Sequence, residues 1–163
     1  MLKAIVTAAA CATLMFANEA RAQAPAPPPA YGETINSETA KKAAAAAVAE
    51  SAKNNWGMCV AVVAPSGDLV YFERMDNCQY ASIAISQRKA KAAAIFRRPT
   101  KVFEDRVAQG GAGIAAITLD GVIASEGGVP IVVGGKIVGA MGCSGGTGQQ
   151  DGVACTAGAN AVK

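Results

Sequence analysis

The apolar residues of this chain are mostly small, and that limits the kind of core it can build. Hydrophobic residues make up 52% of its 163 positions, yet Phe, Trp and Tyr together make up only 5%. The run Ala43-Ala44-Ala45-Ala46-Ala47 is typical of the remainder. A helix built this way presents methyl groups, so it gains from packing only by lying close against a sheet. Ala, Val and Ile must fill the interior around few large anchors. The length suits one domain, and 18 glycines and 7 prolines punctuate several short elements.

The element pattern follows from periodicity and breakers. Residues 38–54 form an alanine-rich helix, capped by Asn36 or Ser37 and ended by Gly57. Residues 58–64 and 69–74 are strands joined through the turn Pro65-Ser66-Gly67-Asp68. Residues 80–97 repeat apolar positions at three and four. Pro99 stops that helix and opens another over 100–108. Gly110-Gly111-Ala112-Gly113 reads as a flexible loop. Residues 122–125, 129–133 and 136–143 read as three short strands, the last two joined by Gly134-Gly135, and a helix over 149–162 closes the chain. This order predicts an α+β fold, one antiparallel sheet flanked by helices.

The chain opens like an exported protein. Residues 1–22 have the form of a signal peptide: Lys3, an apolar stretch over 4–17, then Ala20-Arg21-Ala22 before Gln23. That stretch is shorter than the about twenty residues of a membrane span. The mature chain is therefore expected in the periplasm or the medium, with no membrane attachment. Pro25, Pro27, Pro28 and Pro29 mark residues 23–33 as a proline-rich tether, which leaves the domain over 34–163. The net charge of +3 arises from 15 bases and 12 acids spread along the chain, a pattern that excludes a nucleic-acid binder.

Removing the signal would remove Cys11 and leave four cysteines, for which three pairings exist. Neither a redox nor a zinc Cys-x-x-Cys spacing occurs. Cys59 starts a hairpin strand and Cys78 lies just beyond its partner. Cys143 ends a strand and Cys155 falls in the next helix. Proximity in this order favours the disulfides Cys59–Cys78 and Cys143–Cys155.

No histidine is present, which excludes Ser-His-Asp and Cys-His catalysis and His-ligated zinc or haem. The richest segment is Phe96-Arg97-Arg98-Pro99-Thr100. Two guanidiniums at a helix end, followed by a new helix start, can hold a carboxylate, either a haem propionate or a small organic acid. Arg97, Arg98 and Thr100 are thus candidate ligand-binding residues. The structural alternative is that Arg98 and Thr100 pin the junction or pair with Glu104. Gly110 and Gly111 could form an anion nest, although no phosphate-loop Lys-Ser/Thr follows. Glu126, before Gly127-Gly128, is either a ligand-facing acid or base or a partner for Arg97 or Arg98. Glu73 and Asp76 are two acids that could hold a metal, unless Arg74 and nearby lysines neutralise them. Tyr71, Tyr80 and Met75 are further haem-ligand or packing candidates. Lys89 and Lys91, beside Arg88, either attract propionates or form a solvated cationic face.

Several segments, taken in order, resemble the GlcG/HbpS (DUF336) family. They are Tyr31-Gly32, Ala40-Lys41-Lys42, Ala61-Val62-Val63-Ala64-Pro65-Ser66-Gly67, Phe72-Glu73-Arg74-Met75-Asp76 and Lys89-Ala90-Lys91-Ala92-Ala93. The segment from Phe96 to Thr100, Gly110-Gly111-Ala112-Gly113 and Glu126-Gly127-Gly128-Val129-Pro130-Ile131 continue the set, and the resemblance spans residues 31–161. It implies a profilin-like or roadblock-like α/β sandwich, and an exported protein that binds haem or a related tetrapyrrole as a homo-oligomer, often an octamer. It also implies the iron reading of Glu73 and Asp76, because iron-binding members favour acids separated by two positions. Because the family also includes proteins linked to glycolate use, a second expectation stands beside the first. In it the chain is an enzyme or enzyme accessory for a small hydroxy- or oxo-acid, with Arg98 as carboxylate clamp and Glu126 as acid/base. The absence of histidine leaves Thr, Tyr, Met, Lys, Cys or none of these as haem ligand, so ligation would be weak or borrowed from another subunit.

Overall fold

Four antiparallel strands in the order β2-β1-β4-β3 form the sheet of the computed structural model, which describes residues 26–162. They are β1 (Cys59–Val63), β2 (Leu69–Arg74), β3 (Gly128–Val133) and β4 (Lys136–Ser144). Helices α1 (Ser37–Lys53), α2 (Ala81–Ile95), α3 (Lys101–Ala108) and α4 (Gly148–Asn160) complete the α+β domain. A 3-10 helix, Gly111–Thr118, follows α3. The signal-peptide reading of residues 1–22 lies outside the described residues. None of the described helices is long and apolar enough to cross a membrane.

Strand alternation sorts β1 between two layers. Val60 and Val62 point to the side of α1 and α4, where they meet Ala43, Ala47, Met141 and Ala154. Ala61 and Val63 point to α2 and meet Ala90, Ala93 and Ala94. The α2 side depends on small residues. Ala61, Gly142 and Gly128 lie opposite one another across β1, β4 and β3. A Cβ at Gly142 would sit 1.9 Å from the Ser86 carbonyl oxygen, and one at Gly128 would sit 2.3 Å from that of Lys89. Helix α2 therefore rests directly on a row of minimal side chains, which explains how a core poor in bulk is close-packed.

Capping fixes the helix starts. Asn36 accepts from the Thr39 N–H at 2.8 Å, and Thr147 and Gln150 form a capping box on α4. Helix α2 ends at Ile95, two residues before the expected boundary, because Arg97 takes a left-handed φ of 54°. Disulfides Cys59–Cys78 and Cys143–Cys155 tie β1 to the loop before α2, and β4 to α4. Each contributes about 2–4 kcal/mol.

Three expectations need correction. Residues 122–125 are not a strand, so the sheet has four strands rather than five. The Val122 N–H is taken by the Leu119 carbonyl at 3.2 Å and the Glu126 N–H by Glu104, leaving no ladder to join. Gly110-Gly111-Ala112-Gly113 is not a loose loop, since the Gly113 N–H bonds the Gly110 carbonyl and leads into the 3-10 helix. The proline-rich stretch is not a free tether at its end. Gly32 donates to the Ile137 carbonyl, and Ile137 donates back to that of Ala30, each at 2.8 Å, which docks Tyr31 beside β4.

Candidate functional site

Lys89 is the first residue placed against expectation. It is no part of a solvated cationic face: its side chain is 2% exposed and that of Asp151 is 3% exposed. Nζ lies 2.6 Å from Asp151 Oδ2 and donates to the Glu126 carbonyl oxygen, also at 2.6 Å. Asp151 Oδ1 accepts from the Gly146 N–H at 3.0 Å. Burial pushes the Asp151 carboxyl up, against the opposing pull of its Lys89 and Gly146 hydrogen bonds. The arrangement needs glycine at 127, where φ is 122° and a Cβ would come within 2.6 Å of Asp151 Cβ. This ion pair joins α2, α4 and the loop before β3. Arg88 and Lys91 do face solvent, beside Asp120 and Gly121 in a cleft of about 280 Å³.

Thr100 also turns inward. It is fully buried, its Oγ1 accepts from the Gly128 N–H at 2.9 Å, and its own N–H donates to the Gly128 carbonyl at 3.0 Å. This reciprocal pair locks the start of α3 to β3, with the hydroxyl that the sequence offered to a ligand accepting from the Gly128 backbone.

Glu126 lines a second cleft of about 370 Å³ with Gln149, Gly152, Val153 and Thr156. Its carboxylate crosses α4 where Gly152 leaves room, since a Cβ there would lie 2.5 Å from Oε1. Burial, and then the negative charge of Glu104, raise the Glu126 carboxyl above the usual carboxylate range, while Lys101 and Lys89 pull it down. Glu104 binds the Glu126 N–H at 2.7 Å, not Arg98 or Thr100. Among the described residues, Glu126 forms no ion pair with Arg97 or Arg98.

Arg97 and Arg98 line a separate cleft of about 380 Å³, whose other walls are Ala26, Pro27, Pro28 and Val102. Arg98 Nε donates to the Phe96 carbonyl at 2.9 Å, which aims the guanidinium and leaves its terminal nitrogens free of that bond. The Arg97 guanidinium lies over the Tyr31 ring, 5.6 Å from its centroid. Among the described residues, neither arginine pairs with a carboxylate. Gly110 and Gly111 have φ of 69° and 53° and open space about them, outside this cleft's lining.

The two acids read as a metal pair have different neighbours. Glu73 accepts from the Tyr71 hydroxyl at 3.1 Å, and Asp76 lines a different cavity with Trp56 and Met75. No group of three or more metal-ligating side chains occurs among the described residues. Met75 packs on the core, and Tyr80, 81% exposed, lies under the Arg74 guanidinium. Sequence reasoning missed Tyr31 as the ring beneath Arg97, Pro27 and Pro28 as walls of the arginine cleft, and Asp151 as the partner of Lys89. An aromatic closing a proline run was the available signal for the first. Asp151 had none, because its partner lies 62 positions away.

A helix-covered antiparallel sheet with several small clefts is the class that this geometry defines. Its relatives are specific. Residues 35–160 match the family model described as "Haem degrading protein HbpS-like". Protein GlcG of Escherichia coli K12 is 42% identical over 110 residues, covering 68% of this chain and 81% of its own length. The crystal structure of HbpS superimposes with a TM-score of 0.74 at 29% identity, covering 81% of this chain and 92% of that one. Klebsiella pneumoniae ORFY superimposes with a TM-score of 0.75 at 26% identity, covering 80% and 92%. The chain belongs to the HbpS-like (DUF336) family.

Proposed function

We propose that this chain binds haem or a related tetrapyrrole, taking its carboxylates at Arg97 and Arg98. One observation carries the reading: two guanidiniums with no acidic partner among the described residues face a cleft whose other walls are apolar. Such donors form charge-assisted, bidentate bonds to carboxylates, and the prolines and Val102 offer a surface for a flat ring. The family description supports the tetrapyrrole. The residues present suit its acidic edge. They do not suit its iron, because no side chain lining the cleft is an ordinary haem ligand. An axial donor would come from a second copy of the chain.

The competing reading, an acid-processing enzyme or accessory, needs Arg98 and Glu126 in one site, and they line different clefts. Two disulfides fit an oxidising compartment, and export to the periplasm or medium belongs to the proposal. Self-association belongs to it as well, as the octamer that the resemblance implies. Ile114, Ile117 and Leu119, exposed by 49%, 57% and 46%, offer apolar surface for a second copy to cover. A monomer mass in light scattering would remove the oligomer from the proposal.

A Soret-band titration of the mature protein with hemin tests the site. Arg98→Ala should weaken binding tenfold or more, about 1.4 kcal/mol, with circular dichroism unchanged. Arg88→Ala, on the exposed face, should bind as wild type does. Normal binding by Arg98→Ala, or a loss that accompanies unfolding, would make the arginine a structural pin and overturn the assignment.

A further inference from the structure

Arg97 sits at the turn that ends α2, against the ring of Tyr31. Its φ of 54° is left-handed, a conformation shared among non-glycine residues only with Asn55 and Asn77 within the described chain. The turn that closes α2 accounts for it: the Arg97 N–H donates to the Ala94 carbonyl at 3.2 Å and the Arg98 N–H to that of Ala93 at 3.3 Å. Tyr31 braces the same turn and lies against the side chain that leaves it. Its hydroxyl lies 3.0 Å from the Ala94 carbonyl oxygen and 3.1 Å from that of Ile95, at the open end of α2. Its ring lies beneath the Arg97 guanidinium. Tyr31 is fixed in turn from the sheet side by the two backbone bonds that Ala30 and Gly32 exchange with Ile137. Pro27 and Pro28, a few residues earlier and stiffened by their rings, face the same arginines across the cleft.

We infer that residues 26–31 are a working part of the anion cleft, with Tyr31 as a positioning residue for Arg97 and the prolines as the apolar wall. The inference rests on the arginine-cleft reading above and deepens it. The ligand class it selects is a flat apolar body carrying carboxylates at one edge. Tyr31 acts on the carboxylate end through Arg97, and Pro27 and Pro28 act on the flat body. The two contributions are therefore separable.

The test compares hemin with its dimethyl ester, which lacks the free carboxylates, by absorbance titration of the mature protein. Wild type should prefer hemin by tenfold or more. Tyr31→Leu, which removes ring and hydroxyl, should cut that preference at least threefold while leaving ester affinity unchanged. Tyr31→Phe, which keeps the ring, should retain the preference within twofold. The double variant Pro27→Ser/Pro28→Ser leaves Tyr31 in place and should weaken hemin and ester alike, and it serves where Tyr31→Leu fails to fold. Equal loss of hemin and ester in a folded Tyr31→Leu would show a purely structural tyrosine and overturn the inference. So would an unchanged preference in Tyr31→Leu when Arg98→Ala abolishes it, and in that case the arginine reading survives. No preference for hemin in wild type would overturn the arginine reading itself.

Discussion

Lys89 and the Arg97-Arg98 pair belong to one stretch of chain, on and just after α2, yet the fold treats them in opposite ways. Lys89 is sealed between α2, α4 and the loop before β3, with a carboxylate and a carbonyl both at 2.6 Å. The arginines line an open cleft with no acid against them among the described residues. A buried cation must bring its counter-charge with it, because desolvation otherwise costs more than any packing returns. A cation at a cleft mouth keeps its hydration and can trade it for a ligand's carboxylate. The first arrangement builds architecture and the second leaves binding capacity, although both are basic residues in an alanine-rich context.

The largest expected effect tests the buried member. Lys89→Met leaves Asp151 as an uncompensated interior charge and should cost about 3–5 kcal/mol in urea denaturation. The double variant Lys89→Met/Asp151→Leu removes both charges and should recover most of that loss, since apolar replacements of similar volume are commonly neutral or better. A Lys89→Met protein of normal stability that had lost hemin binding would reverse the comparison and move the site to the ion pair.

A smaller effect tests the latch between the two regions. Thr100→Val keeps the shape but removes the acceptor from the buried Gly128 N–H, and should destabilise by about 1–3 kcal/mol. Hemin affinity should stay within twofold of wild type, because Thr100 is buried against Gly128 and does not line the cleft. A folded Thr100→Val that had lost hemin binding would restore the threonine as a ligand group.

The same contrast shows what the sequence could carry. Hairpins and helices were legible because their signals are local: Pro65-Ser66-Gly67-Asp68 turns the chain, and Asn36 and Pro99 bound helices. The disulfide pairs were legible because each joins neighbouring elements. The false strand at 122–125 came from a short apolar run, which alone cannot say whether a sheet edge awaits it. Burial of Lys89 was illegible for a long-range reason: it depends on Asp151 in the last helix and on glycines 127 and 128 leaving space. The arginine cleft was half legible. Arg97 and Arg98 announced themselves by charge, but the wall that completes their cleft comes from prolines that composition assigns to a tether.

Glu126 belongs to both regions, and it yields the smallest and most discriminating prediction. Its carbonyl oxygen serves the buried Lys89, whereas its carboxylate lines the cleft beside α4. Burial and the Glu104 charge raise the folded-state titration above the ordinary value of 4.5. A carboxyl raised in this way stabilises the fold below its unfolded pKa, and that contribution is lost as pH rises through the folded value. Replacing Glu126 with Gln should therefore flatten the fall in stability just above the usual carboxylate range. In carbon-detected NMR the Glu126 carboxyl should titrate late, and Glu104→Gln should bring it partway back while keeping an oxygen for the Glu126 N–H. Desolvation leads the causes, so most of the shift should survive that substitution. A shift that vanished entirely would make the neighbouring charge the dominant cause. Glu126 would then be a solvated carboxylate whose side chain has no share in the enclosure that its backbone helps to build.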